Sequence, residues 1–343
     1  MKTRLAGPIT LPLLTLLAAG RSWAGTGGEP SLSPVGRVQD LGFRASSAAG
    51  DWSAFAGFDA LVFSPDGSWL GWIATMDGNQ GGAIVTETWG IVWRIGTGKV
   101  LRLKNASGTL AFAPDGSRVA AGLFAREAAE WELKSGRRLK VGKRGGGQPV
   151  VGYTAAGQKV ILPTKGLWIS GVAGDGSVAA WVMEKGPRTV NWVRTATGER
   201  KSVDLEPGDK SSLGSVALSQ DGTCLAVQDG SNVHVVDTRD GKVRQKLSFP
   251  DGASSVALSA RGGVVAVGRE QGGILVRDMR TGGQAQAAGK GGIVRHVAFD
   301  PGTTRVAAAV IPEPEMQGGD AEGQVFLWKV QARDSACGGS DAK

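Results

Sequence analysis

Few residues in this chain are equipped for chemistry. Histidine occurs twice, as His234 and His296, and cysteine twice, as Cys224 and Cys337. His234 lies inside an apolar, strand-like run, Asn232 to Asp237, and His296 opens another. A single histidine in a strand reads as a hydrogen-bonded structural residue. No two histidines, and no cysteine–histidine pair, stand at metal-ligand spacing. There is no Gly-x-Ser-x-Gly elbow for a nucleophile and no loop of alternating aspartates for calcium. The expectation is therefore no catalytic residue, no metal and no cofactor. Cys224 falls in an apolar run and reads as a small buried side chain, and Cys337 in a polar C-terminal stretch. Two cysteines make no disulfide framework, and their spacing leaves a bridge between them open without implying one.

Tryptophan is abundant instead: eleven residues against one tyrosine, Tyr153. Indole rings serve either packing or recognition. Which role each has depends on the elements that hold it.

Those elements repeat. Seven times an apolar run meets a tight turn and continues into a second apolar run. Leu61-Val-Phe-Ser-Pro-Asp-Gly-Ser-Trp-Leu70, Leu110-Ala-Phe-Ala-Pro-Asp-Gly-Ser-Arg-Val119 and Ser215-Val-Ala-Leu-Ser-Gln-Asp-Gly-Thr-Cys224 are the clearest copies. The residue before the turn glycine falls at Asp66, Asp115, Ala156, Asp175, Asp221, Arg261 and Pro301. Glycine accepts the positive φ of such a turn, and aspartate hydrogen-bonds its own backbone two residues on. Most intervals are near the roughly 40 residues of a propeller blade. A third strand follows in each unit, as in Gly90–Ile95 or Val325–Trp328, then a Thr-Gly or Asp-Gly turn and a polar fourth strand such as Lys242–Leu247. Second strands such as Arg305-Val-Ala-Ala-Ala-Val-Ile311 are apolar throughout and should be buried on both faces. Fourth strands alternate apolar with charged and should form a solvated rim.

The order of strands and turns resembles the WD40-repeat β-propellers, over about residues 36 to 330. The Trp-Asp pair that closes the third strand in that family survives only in halves. Trp93, Trp131 and Trp328 hold its first position; Asp237 and Asp278 hold its second. The Gly-His that opens family repeats is missing, so the blades should rest on apolar packing between sheets. The segment Ser64–Trp69 approaches the Asp-box of sialidase-type propellers, but lacks a residue between Asp66 and Gly67. The expected fold is all-β, a propeller of seven blades with six as the alternative. The doubt arises between Ala156 and Asp175, where only 19 residues leave no room for four strands. Residues 149 to 171 form either a reduced blade or an insertion in a six-bladed ring. The last unit stops after its third strand at Val330, and Val38-Gln-Asp-Leu41 is placed to supply the missing outer strand and close the ring.

Residues 1 to 24 read as a secretory signal. Lys2 and Arg4 precede an apolar stretch, Leu5 to Ala19, and Ser22-Trp23-Ala24 offers a cleavage site after Ala24. The stretch is broken by Pro8 and Pro12, and is shorter than the ~20 residues a spanning helix needs. The expected location is therefore periplasmic or extracellular. Residues 25 to 35 read as a linker, 36 to 330 as the propeller and 331 to 343 as a disordered tail. The formal net charge is +8. The main basic cluster, Arg137 to Arg144, has no interleaved aromatics and reads as a solvated strand, so a nucleic-acid partner is not expected.

A functional surface is expected on loops. In a WD40-type blade the fourth-to-first and second-to-third connections emerge on one face. Three are long here: 44 to 58, 76 to 89 and 312 to 323. Ring closure should gather them, with Trp52, Phe55, Phe58, Asp77, Glu87, Trp89, Glu313, Glu315 and Asp320 as candidate partner-binding residues. The expected activity is non-catalytic binding or scaffolding of a protein or envelope polymer. The alternative is a lactonase- or hydrolase-like enzyme working at the central channel.

Overall fold

The computed structural model describes residues 30–37, 51–80, 83–123, 127–143, 150–153, 157–162, 167–183, 188–205, 213–288, 292–311 and 323–337. Strand β1 (Ser31–Arg37) stands alone at the N-terminal end. Blade one is β2 (Asp51–Phe63), β3 (Trp69–Gln80), β4 (Ala83–Arg94) and β5 (Val100–Lys104). Blade two is β6 (Ala106–Phe112), β7 (Arg118–Leu123), β8 (Glu127–Glu132) and β9 (Arg138–Lys143). A two-stranded hairpin follows, β10 (Val150–Tyr153) and β11 (Lys159–Leu162). Blade three is β12 (Leu167–Val172), β13 (Val178–Met183), β14 (Thr189–Arg194) and β15 (Arg200–Asp204). Blade four is β16 (Leu213–Leu218), β17 (Cys224–Asp229), β18 (Asn232–Asp237) and β19 (Val243–Ser248). Blade five is β20 (Ser255–Leu258), β21 (Val264–Gly268), β22 (Ile274–Asp278) and β23 (Gln284–Ala287). Blade six is β24 (Ile293–Phe299), β25 (Arg305–Ile311) and β26 (Gln324–Gln331), with β1 as its outer strand.

Every blade is an antiparallel sheet, the first five as meanders, and the molecule is an all-β propeller. Among the described residues it has six four-stranded blades, which corrects the expectation of seven. The unit that turns at Ala156 forms only the β10–β11 hairpin among the described residues, because β12 of the next blade already begins at Leu167. The hairpin still contributes to the channel wall, since β10 packs between β6 and β12. It is joined to blade two by an apolar cluster around Val151, Tyr153, Ala113 and Ala128. It is also joined by a polar one: buried Glu130 accepts from the Tyr153 hydroxyl at 2.7 Å and from Arg118 at 3.1 Å. Burial, and then the Glu130 carboxylate, push the Tyr153 hydroxyl pKa far up, so the phenol stays a donor.

The strand closing blade six also differs from the expected one. Val38–Leu41 lies outside the described residues, and Ser31–Arg37 pairs with β26 from Ser31↔Gln331 to Arg37↔Phe326. Part of the expected linker is thus a strand, and Leu32 packs against the cluster between blades five and six. The expected tail is likewise structured as far as Cys337, which is bonded to Cys224, and Ala336 bridges to Gly262.

The core lies between adjacent blades, as the second-strand pattern requires. Ile73 and Val92 of blade one meet Leu110, Val119 and Ala121 of blade two. Val178 and Trp192 of blade three meet Leu225 and Val227 of blade four. β17, β21 and β25 are buried along nearly their whole length, whereas β15, β19 and β23 alternate outward. Where the family-type Asp is kept, it organises a turn: buried Asp237 accepts from the Arg239 backbone and from the Arg239 and Arg244 guanidiniums. Burial opposes its ionisation, but these donors outweigh it and hold its carboxyl far below the usual range.

Candidate functional site

Blade one departs from the others in length. Its β2, β3 and β4 run 13, 12 and 12 residues, against four to eight in the remaining strands. Segments 51–58 and 76–89, expected as loops, are strand apart from residues 81 and 82, which lie outside the described residues. The β3–β4 register is continuous from Trp69↔Arg94 to Gln80↔Ala83, and β2 pairs with β3 from Asp51↔Asn79 to Phe63↔Leu70 with two register shifts. Strand β5 pairs with β4 only between Trp89↔Lys104 and Trp93↔Val100. The three strands therefore continue past the outer strand as a tongue. Six residues of β3, Thr75 to Gln80, lie in that overhang, which at ~3.3 Å per residue projects about 20 Å. Their place between the second and third strands of the repeat made residues 76 to 89 read as a connection.

The base of the tongue is well anchored. Phe58, expected on the rim, is 8% exposed and packs in the cluster between blades one and six with Trp72, Ala74 and Ile91. Bulges between Trp52 and Ala56 and between Phe58 and Ala60 re-aim β2 there. Trp89 is half-buried against the same cluster. Its indole N–H donates to a Glu87 carboxylate oxygen at 3.2 Å, and Lys104 lies 6.0 Å from its ring centroid. Two residues apart on one strand, Glu87 and Trp89 share a face. Trp52, Phe55 and Asp77 are in the tongue's strands, while their side chains lie outside what is described. Glu313, Glu315 and Asp320 lie outside the described residues altogether.

Beside the tongue opens the central channel, a cavity of about 1040 Å³ walled by the inner strands. Asp59, Thr109, Ser215, Ser254, Arg295 and His296 stand at the tongue-side mouth. Most of their polar atoms stitch neighbouring inner strands together. His296 Nε2 lies 2.8 Å from the Phe58 carbonyl oxygen, and the Asp59 carboxylate accepts from Gly108 N–H at 3.4 Å. Thr109 accepts from Val151 N–H at 2.9 Å, and Ser254 donates to the Val294 carbonyl at 2.6 Å. Because a carbonyl can only accept, His296 carries its proton on Nε2. Burial lowers its pKa despite that bond, so the ring is neutral at pH 7. His234 is buried beside Asp229 in blade four, away from the channel, and burial lowers its pKa too. Among the described residues no group of three or more His, Cys, Asp or Glu is placed to hold a metal ion.

The exposed cations Lys104 and Arg295 near this sector were not singled out from sequence, where nothing separates them from other rim charges.

No family model and no curated protein matches the sequence. Solved structures do match in fold. The β-propeller domain of Myceliophteria thermophila Cps50 (Swd1) superposes with a TM-score of 0.58 at 12% identity, over 87% of this chain and 99% of that one. Kuenenia stuttgartiensis hydrazine synthase superposes with a TM-score of 0.54 at 16% identity, over 78% of this chain and 95% of that one. At these identities the likeness is one of architecture.

Proposed function

We propose that this chain is an exported, non-catalytic binding or scaffolding propeller of WD40-like type that recognises a protein or envelope polymer through the tongue face of blade one. The observation that carries the reading is the tongue itself. Three paired strands extend beyond their own outer strand, beside the channel mouth and at the seam where the first and last blades meet. Rigid scaffolds concentrate recognition in such projections. The aromatic residues Trp52, Phe55 and Trp89, with the acids Asp77 and Glu87, belong to it by position. Glu313, Glu315 and Asp320, which lie between β25 and β26 and outside the described residues, are assigned to the same surface on their place in the sequence alone. Acidic groups around an indole suit a partner with positive charge.

The pairing of Ser31–Arg37 with β26, and the packing of β2 against β24 and β25, support the same reading. Among the described residues no helix is long and apolar enough to cross a membrane. Export rests on residues 1 to 24 alone. The channel-centred enzyme is less favoured, since the polar groups at its mouth are engaged in inter-strand hydrogen bonds. The test is affinity capture from a cell-envelope extract with the mature chain, followed by direct binding of the purified partner. Saturable binding that weakens with added salt is the expected result. Turnover of lactone or ester substrates by the purified chain, abolished by His296→Ala, would replace this reading with the enzymatic one.

A further inference from the structure

The turn of blade five lacks a carboxylate that the same slot carries in blades one to four. In blade one the Ser64 hydroxyl donates to Asp66 at 2.5 Å, and Asp66 accepts from Ser68 N–H at 3.0 Å. In blade four Ser219 donates to Asp221 at 2.6 Å, and Asp221 accepts from Thr223 N–H at 3.0 Å. Blade five has Ser259 in the same place but Arg261 where the aspartate belongs. The missing carboxylate arrives from the C-terminal segment. Ser259 donates to Asp334 Oδ1 at 2.6 Å, and Gly263 N–H donates to the same oxygen at 3.1 Å. Arg261 N–H and the Thr303 hydroxyl donate to Oδ2 at 2.9 and 3.0 Å.

Two further features fit the turn to that visitor. A side chain on Gly263 would collide with the Ser335 backbone, at 2.3 Å from its carbonyl oxygen, and one on Gly262 would meet the Cys224 sulfur at 2.5 Å. The turns of the other five blades carry Ser or Thr at the position of Gly263. Cys337, three residues beyond Asp334, is bonded to Cys224 at the start of β17. The carboxylate, the glycines and the cysteine pair each point to one site.

We infer that the turn of blade five is a carboxylate-binding cradle whose resident ligand is the chain's own C-terminal segment, held by the Cys224–Cys337 bond and exchangeable for an aspartate-bearing peptide once that bond is reduced. Held covalently, the segment is always within reach, and an outside peptide cannot compete with it. Release requires a dithiol reductant. One of its thiolates attacks Cys337 Sγ, which is more exposed than the fully buried Cys224, and Cys224 leaves as a thiolate and takes a proton. The second thiolate displaces Cys337, which is protonated in turn, and the reductant departs as its own disulfide. The ligand class is a short extended peptide with aspartate flanked by small residues, as in Ala332-Arg-Asp-Ser-Ala336.

The probe is a dye-labelled, end-capped peptide, Ala-Arg-Asp-Ser-Ala-Ser, titrated into the full-length chain by anisotropy. Oxidised wild type should not bind it. Full-length chain carrying Asp334→Asn and Cys337→Ser, which cannot refill its own cradle, should bind saturably. The same peptide with asparagine for aspartate should bind at least tenfold more weakly. Hydrogen exchange of wild type supplies a readout that needs no variant. Reduction should speed exchange at the Arg261 and Gly263 amides at least tenfold, while the Ser68 and Ser117 amides, bonded to aspartates of their own turns, stay unchanged. Equal binding of the two peptides, no binding to the double variant, or unchanged exchange at Arg261 and Gly263 on reduction would each overturn the inference.

Discussion

His296 Nε2 lies 2.8 Å from the carbonyl oxygen of Phe58, joining residues 238 apart in sequence across the seam between the last and first blades. The bond requires a neutral or protonated Nε2–H donor, and burial disfavours the charged ring. Its folded pKa is therefore below the unfolded value near 6.5.

The linkage follows from that direction. The unfolded chain binds the extra proton first, so stability is complete above about pH 6.5 and falls as pH drops toward the depressed folded value. His234 shifts the same way. The melting temperature should decline between pH 7 and pH 5 in thermal scans. His296→Gln, whose amide can still donate to Phe58, should flatten part of that slope with little change at pH 7.5. The carboxylates act lower. Asp115 is held below its ordinary value by the Ser117 backbone and hydroxyl donors; at Asp66 burial works the other way, but its serine donors prevail. Their contribution is present above about pH 3.8 and is lost as pH falls further.

Strand β1 gives blade six its outer edge. Deleting residues 25 to 37 exposes the ladder of β26 and the apolar face on which Leu32 rests. We expect a loss of at least about 2 kcal/mol, equivalent to several degrees in melting temperature. An unchanged melting curve would mean that the pairing contributes nothing to closure.

Tyr153→Phe removes one of two donors from buried Glu130 and should destabilise by about 1–3 kcal/mol. The loss should be local, with faster hydrogen exchange in the β10–β11 hairpin and little change in blade five. Uniform acceleration over all blades would show that the hairpin is not a separate unit.

The export reading is checked by N-terminal sequencing of the protein recovered from cells. A start near Gly25 is expected, in a periplasmic or culture fraction. Met1 retained on soluble cytoplasmic protein would contradict it.

The propeller was legible because its determinants are local. Asp-Gly turns fix the hairpins, and runs such as Arg305–Ile311 declare strands buried on both faces. What escaped depends on partners far apart in sequence. Ser31–Arg37 did not stand out as a strand because the stretch is short and carries Pro34, and its pairing with β26 is set by residues about 290 positions away. Blade number failed on arithmetic: an average near 42 residues hid a two-stranded hairpin beside the long blade one. Phe58 looked like a loop aromatic because its burial is set by blade six. The anchoring of Asp334 left one trace in the sequence, Arg261 in a slot that holds aspartate in blades one to four, and Cys224 nearby would have strengthened it. The extra length between the second and third strands of blade one was legible in the sequence, while its build as a paired tongue was not.

The most direct test of the account is partner binding by the chain carrying Trp52→Ala and Trp89→Ala. Truncating an interface anchor costs ~2 kcal/mol or more, roughly a thirtyfold loss of affinity. Trp89 also packs at the tongue's base, so the melting temperature and the Trp52→Ala single variant are measured alongside. We predict that the double variant stays folded at the assay temperature and binds the captured partner at least thirtyfold more weakly, with a measurable loss already in the single variant. A folded double variant that binds with unchanged affinity would contradict the assignment of recognition to blade one.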